Sequence, residues 1–130
     1  VRRALKATFT KNALTLTIAD MQVTLAGETY DVVVKGAKGS LLLPVKTRET
    51  MGGGHAHIFT RDIHKSIAVA IDAGYPCLPI IIAESWTGDL KALACDDHIY
   101  LQMNPNQVAA IEPMLRDALE QRLSLFSRIQ

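Results

Sequence analysis

Alternating apolar and polar residues along the first half of the chain predict extended structure. Ala13 to Ile18 alternates and is rich in β-branched residues, and Gln22 to Leu25 repeats the pattern over a shorter length. Two further extended segments, Tyr30 to Val34 and Leu41 to Arg48, are joined by the turn-rich residues 35–40. We therefore predict a β-hairpin in this region, preceded by one or two short strands.

A periodic segment in the middle of the chain predicts an amphipathic helix with Thr60 as its N-cap. Apolar residues recur there at intervals of three and four positions, at Ile63, Ile67, Ala70 and Ile71. Gly74 and Pro76 follow and predict the end of the helix. One face of this helix is expected to pack on a sheet.

The last part of the chain predicts two more strands and a helical tail. Leu78 to Ala83 is a continuous apolar run of strand length, and His98 to Met103 alternates. The tail begins at Asn104 and is expected to split at Pro113. Its last helix would bury a stripe formed by Met114, Leu115, Ala118, Leu119, Leu123 and Phe126. This order predicts an α/β fold: a mixed central β-sheet of about five strands flanked by helices.

Composition limits what kind of protein this is. With 130 residues, 48% of them hydrophobic, we expect one domain over 1–130, and because the chain begins with Val1 it is also compatible with a piece of a longer protein. The net charge of +1 excludes a global basic field, so any contact with a polyanion must be local. Cys77 and Cys95 lack CxxC spacing and predict buried reduced thiols. No apolar run approaches the roughly 18 residues of a membrane span and no signal peptide is evident; we expect a cytoplasmic protein.

The predicted hairpin carries a carboxylate on one strand and an ammonium on the next. If the turn centres on Ala37 and Lys38, Asp31 lies opposite Pro44, and Lys46 is one diagonal step away. The two charged groups would then reach the same bound ion or phosphate. A surface ion pair between them is the alternative.

The segment after the hairpin is rich in glycine and histidine. Three consecutive glycines, including Gly53, predict either a flexible connector or a close approach of the backbone to a phosphate or a DNA groove. His55 and His57 would face one way on a strand, and His64 follows. These histidines raise a zinc-site alternative, a histidine-based metallohydrolase, although their spacing matches no standard zinc motif.

Basic residues surround this segment and suggest local contacts with nucleic acid. The candidate contacts are Arg48, Gly53, His55, His57, Arg61 and Lys65. A solvated basic face is the alternative for the arginines and the lysine. Trp86, at the end of a predicted buried strand, is expected to be a core or rim aromatic rather than a base-stacking one.

Taken together, these residues resemble the PD-(D/E)XK restriction-endonuclease-like nuclease superfamily, over about residues 20 to 103. In that family, a hairpin carries Asp on its first strand and (Asp/Glu)-x-Lys on its second, followed by a helix and two strands. Asp31 matches the first carboxylate, and Lys46 matches the lysine after fourteen intervening residues. The middle carboxylate is missing because Pro44 occupies its position.

The resemblance implies a magnesium-dependent DNA endonuclease of the restriction type, acting on double-stranded DNA as a homodimer or with a partner subunit. Asp31, the carbonyl of Val45 and a relocated acid would bind Mg²⁺, while Lys46 orients the attacking water. Glu49 is our first choice for that acid, with Asp62 and Glu28 as rivals. The missing acid also leaves open a nuclease-fold domain that has lost catalysis and serves in DNA binding or assembly.

Overall fold

A computed structural model describes residues 1–48, 56–84, 86 and 97–130 of the chain. It contains four helices and eight short strands within those residues. In chain order they are α1 (Arg2–Lys11), β1 (Thr17–Ile18), β2 (Val23–Leu25), β3 (Glu28–Tyr30), β4 (Val33–Gly36), β5 (Gly39–Leu42), β6 (Val45–Arg48), α2 (Ala56–Asp72), β7 (Ile80–Ala83), β8 (Ile99–Leu101), α3 (Val108–Glu120) and α4 (Leu123–Ser127). The fold is mixed α/β.

The predicted hairpin is present, and its turn has the predicted centre. Strands β4 and β5 pair antiparallel with Gly36 opposite Gly39, so Ala37 and Lys38 form the two-residue connection. Extending this register past Val33 and Leu42 would place Asp31 opposite Pro44, as expected. The regular pairing, however, ends two residues before that point.

Pro44 marks a change of partner along the second strand of the hairpin. Because proline has no N–H to donate, β5 ends at Leu42, and the chain resumes as β6 at Val45. The carbonyl of Pro44 accepts a hydrogen bond from the Ile80 amide at 2.9 Å. Strand β6 then pairs in parallel with β7, which pairs in parallel with β8.

The strands form three small sheets in the part of the chain that the structure describes, in place of the expected central sheet of about five strands. Their orders are β1-β4-β5, β2-β3 and β6-β7-β8. An isolated parallel bridge between Leu42 and Cys77 is the only bridge outside the named strands among these residues. A single central sheet of about five strands is therefore not shown, since the segments around Asp31 and Pro44 interrupt both hairpin strands.

Two apolar cores lie on opposite sides of these strands. The first contains α1, α3 and α4 residues such as Leu5, Leu115 and Phe126, packed against Ile80 and Ile82. The second core contains residues of α2 and the strand side chains that point to the opposite face of the sheet from the first core. Its members include Ile63, Ile67, Ala70, Ile81 and Ala83. Helices therefore cover the strands from both sides.

The helices differ from expectation at three points. Helix α1 was not predicted, and in the predicted strand from Ala13 only Thr17 and Ile18 are extended. Helix α2 begins at Ala56, four residues before the predicted N-cap Thr60. Helix α3 runs through Pro113, because Ile111, Leu115 and Leu119 keep one continuous face buried in the first core. None of the described helices is long and apolar enough to cross a membrane.

Candidate functional site

Lys46 forms an ion pair with Asp62, one of the two rival acids. Lys46 lies on β6 opposite Ile81, and its side chain is 17% exposed. Its Nζ lies 2.9 Å from Oδ2 of Asp62, which is in the second turn of α2 and 50% exposed. The pair therefore joins the amino-terminal half of a short strand to the start of the helix that covers it.

Asp31 lies at a bend between β3 and β4 and lines a cavity of about 500 Å³. Val45 lines the same cavity, together with α1 and α3 residues that include Arg2 and Glu112. The backbone of Asp31 is fixed by Arg2, whose Nη2 donates to the Asp31 carbonyl at 2.6 Å and whose Nη1 donates to the Ala19 carbonyl at 2.9 Å. Sequence reasoning missed Arg2, since a contact across 29 positions leaves no local pattern.

The structure thus brings together two pairs of predicted site residues. Asp31 and Val45 share one cavity, whereas Lys46 contacts Asp62. No ion pair between Asp31 and Lys46 is formed in the described residues. Val45 and Lys46 are consecutive in β6, and because side chains alternate between the faces of a strand, theirs lie on opposite faces and the two pairs are connected only through the β6 backbone.

Glu28, the other rival acid, is engaged elsewhere. Its Oε1 accepts a hydrogen bond from the Ser66 hydroxyl at 2.9 Å. The Ser66 carbonyl in turn accepts a hydrogen bond from the Tyr30 hydroxyl at 2.6 Å. Glu28 therefore belongs to a polar connection between β3 and α2, one helical turn along the helix from Asp62.

Burial raises the pKa of Tyr30 to about 12, and the neighbouring Cys77 and Glu28 act in the same direction. Since an unfolded tyrosine ionises near pH 10, the folded state holds this proton more tightly. The resulting stabilisation is complete below pH 10 and is lost as the pH rises toward 12. Urea unfolding should show wild-type stability falling over this range relative to Tyr30→Phe, which cannot ionise. Parallel curves for the two proteins would contradict the prediction.

The remaining predicted contacts lie on and around α2. Arg61 and Lys65 are exposed and four residues apart, so they share one face of the helix. The guanidinium carbon of Arg48 lies 6.0 Å from the centre of the Phe59 ring, within reach of a cation–π contact. Glu49, Gly53 and His55 lie outside the described residues, as does the side chain of His57, although its backbone is in the first turn of α2.

The oxygen ligands available around β6 are of the type that a hard cation prefers, but there are few of them. Carboxylate and carbonyl oxygens, as in Asp31, Asp62 and Val45, are the ligands magnesium prefers. Over the described ranges, however, no group of three His, Cys, Asp or Glu side chains is placed to hold a metal ion. A complete ligand set would therefore need a backbone oxygen or Glu49.

The fold and this site define a mixed α/β protein with a lysine–aspartate pair at a parallel strand. No protein-family model matches the chain, and no curated protein matches it. A solved structure of SfsA from Pyrococcus furiosus in complex with Ca²⁺ is similar over 92% of this chain, with a TM-score of 0.40 and 11% sequence identity. The match covers 50% of that chain, so this chain spans about half its length. At this level the similarity assigns neither a family nor a site.

Proposed function

We propose that this protein is a magnesium-dependent DNA endonuclease of the restriction type, and that β6 carries its active site. The observation that supports this most is the 2.9 Å pair of Lys46 and Asp62 on β6, the strand whose Val45 also borders the cavity that Asp31 lines from the opposite face. An ammonium and two carboxylates around one strand are the groups that phosphodiester hydrolysis uses.

In this proposal Asp31, the Val45 carbonyl and either Asp62 or Glu49 would hold Mg²⁺. The bound ion would supply positive charge to the phosphoryl oxygens as the phosphorus is attacked. Lys46 would donate hydrogen bonds to the attacking water or to a phosphoryl oxygen, and Asp62 would fix the direction of that ammonium. Arg48 follows Lys46 on the same face of β6 and would contact a neighbouring phosphate.

The substrate in this proposal is double-stranded DNA, held by a local basic surface. Arg48, Arg61 and Lys65 would supply phosphate contacts on the α2 side, joined by Gly53, His55 and His57. Because the net charge of the chain is only +1, a single copy offers a small basic area. Cleavage of both strands would need two active sites, so we expect a homodimer or a partner subunit.

A second candidate is a nuclease-fold domain that binds DNA or another protein without cleaving. Two observations favour it: Pro44 stands where the family has an acid, and the Lys46 ammonium is already neutralised by Asp62. A plasmid-nicking assay with magnesium and with EDTA separates the two candidates. The endonuclease predicts nicking or linearisation only with magnesium, whereas the binding domain predicts none under either condition.

Substitution of Asp31 tests which acids belong to the site. We expect Asp31→Asn to lower magnesium-dependent cleavage by about a hundredfold, because the loss of a ligand charge weakens the metal's stabilisation of the transition state while the side-chain volume is kept. Asp20→Asn, another exposed acid near β1, is the matched control and should leave cleavage unchanged. Equal activity of Asp31→Asn and wild type would remove Asp31 from the proposed site.

A further inference from the structure

The position of Asp62 depends on how the start of α2 rests on the strands. Trp86, which follows β7, is 8% exposed and lies against this part of the helix. Its indole Nε1 donates a hydrogen bond to the hydroxyl oxygen of Thr60 at 2.8 Å. Thr60 precedes Asp62 by two residues, so this bond fixes the helix immediately beside the acid.

The Trp86 ring also connects the helix to the sheet. It meets Phe59 of α2 edge-to-face, with ring centroids 6.2 Å apart and planes at 89°. On its other side it meets Tyr100 of β8 in the same manner, with centroids 5.5 Å apart and planes at 88°. Edge-to-face pairs restrict both the distance and the orientation of the rings. Trp86 therefore holds α2 at a set rotation relative to β8.

Because Phe59 and Asp62 belong to the same helix, a contact that fixes the position of Phe59 also fixes the position of Asp62. Phe59 and Asp62 are three residues apart and so lie on neighbouring positions of the same helix face. A rotation of α2 that moved Phe59 from the Trp86 ring would also carry the Asp62 carboxylate away from Lys46. The ion pair alone cannot hold this geometry, because a pair whose acid is half exposed contributes little free energy.

We propose that Trp86 is a positioning residue, which acts through Thr60 to keep the Asp62 carboxylate at the Lys46 ammonium. This inference deepens the proposed function and rests on it for its catalytic meaning. The hydrogen bond and ring contacts of Trp86 are with Thr60, Phe59 and Tyr100 rather than with Lys46 or Asp62. These contacts set the place of the helix on which Asp62 is carried.

Competitive acetylation of lysines, read by mass spectrometry of peptides, tests the inference without using activity. Lys46 should be protected in the wild type by its ion pair and its low exposure. Thr60→Val keeps the side-chain shape but removes the acceptor, and should speed acetylation of Lys46 by about fivefold, the equivalent of one hydrogen bond. Lys38, exposed in the hairpin turn, is the internal control and should react equally in all variants.

Three further variants make the test specific. Asp62→Asn should expose Lys46 to acetylation at least as much as Thr60→Val does. Trp86→Phe loses the N–H and also has a smaller ring, so it should expose Lys46 to acetylation at least as much as Thr60→Val does, and adding Thr60→Val to it should have no further effect. Tyr100→Phe perturbs the same aromatic group without removing the Trp86 hydrogen bond, and should leave Lys46 protected. The indole fluorescence of the single tryptophan verifies folding of the variants that retain it.

Cleavage kinetics test whether the position of Asp62 affects catalysis. Thr60→Val should lower kcat and leave DNA affinity unchanged, and it should have no further effect on kcat in an Asp62→Asn background. Protection of Lys46 in Thr60→Val equal to that in the wild type, or additive losses in the double variant, would overturn the inference. If the wild type cuts no DNA, the proposed function fails, while acetylation of Lys46 still decides the positioning role.

Discussion

Lys46→Ala is expected to lower magnesium-dependent DNA cleavage by about a thousandfold. Removal of a single donor that stabilises transition-state charge typically costs two to three orders of magnitude in kcat. Lys46 is the ammonium of the proposed site, held at 2.9 Å from Asp62 on a parallel strand. Single-turnover cleavage of a plasmid, compared with DNA binding measured in calcium, separates loss of chemistry from loss of affinity.

Controls for this variant come from the same chain. Lys38→Ala removes an exposed lysine of the hairpin turn and should cleave like the wild type. Thermal unfolding of Lys46→Ala should stay close to that of the wild type, since a pair whose acid is half exposed contributes about 0.5 kcal/mol. Retention of more than a tenth of wild-type cleavage by a folded Lys46→Ala protein would exclude Lys46 from the chemistry.

Gly36→Ala is expected to destabilise the fold by about 3 kcal/mol, at the upper end of the cost of overpacking. A Cβ added at Gly36 would lie 1.9 Å from the Ile129 carbonyl oxygen and 2.7 Å from Cδ2 of Leu16. The same Ile129 carbonyl accepts a hydrogen bond from the Lys38 amide at 3.0 Å. The backbone after α4 must therefore move, and this bond is disturbed. Urea unfolding followed by circular dichroism measures the loss.

The partner glycine in the hairpin gives a matched control. Gly39 is paired with Gly36, yet a Cβ added there would meet only Cγ2 of Ile129, at 3.7 Å, which is an ordinary contact. Gly39→Ala should therefore change stability by less than about 0.5 kcal/mol, the usual range for a surface substitution. Equal losses in the two variants would show that the close approach of Ile129 to Gly36 is not what makes alanine costly.

Local signals in the sequence predicted much of the fold. The run Lys35 to Ser40 combines glycine with polar residues between two apolar segments, and its centre at Ala37 and Lys38 is the observed turn. The apolar run before Trp86 is the fully buried strand β7, and Trp86 itself is buried as expected. Such signals succeed because turn chemistry and burial act over a few neighbouring residues.

Features that depend on distant contacts were not predictable from one sequence. Pro113 breaks a local rule, yet α3 continues through it because its buried face packs against α1. Threonine is a common N-cap residue, but Thr60 lies inside α2, where its hydroxyl oxygen accepts a hydrogen bond from the Trp86 indole. The identity of the relocated acid, for which Glu49, Asp62 and Glu28 were the candidates, likewise depends on tertiary packing. Packing of α2 on the strands places Asp62 at Lys46 and Ser66 at Glu28.

The most direct test of the proposed active site is a crystal structure of the protein soaked in manganese, with the ion located by its anomalous scattering. We expect an ion bound by the Asp31 carboxylate and the Val45 carbonyl, completed by Asp62 or Glu49, with Lys46 beside it. A manganese ion held by histidines instead, or the absence of an ion near β6, would rule out the proposed active site.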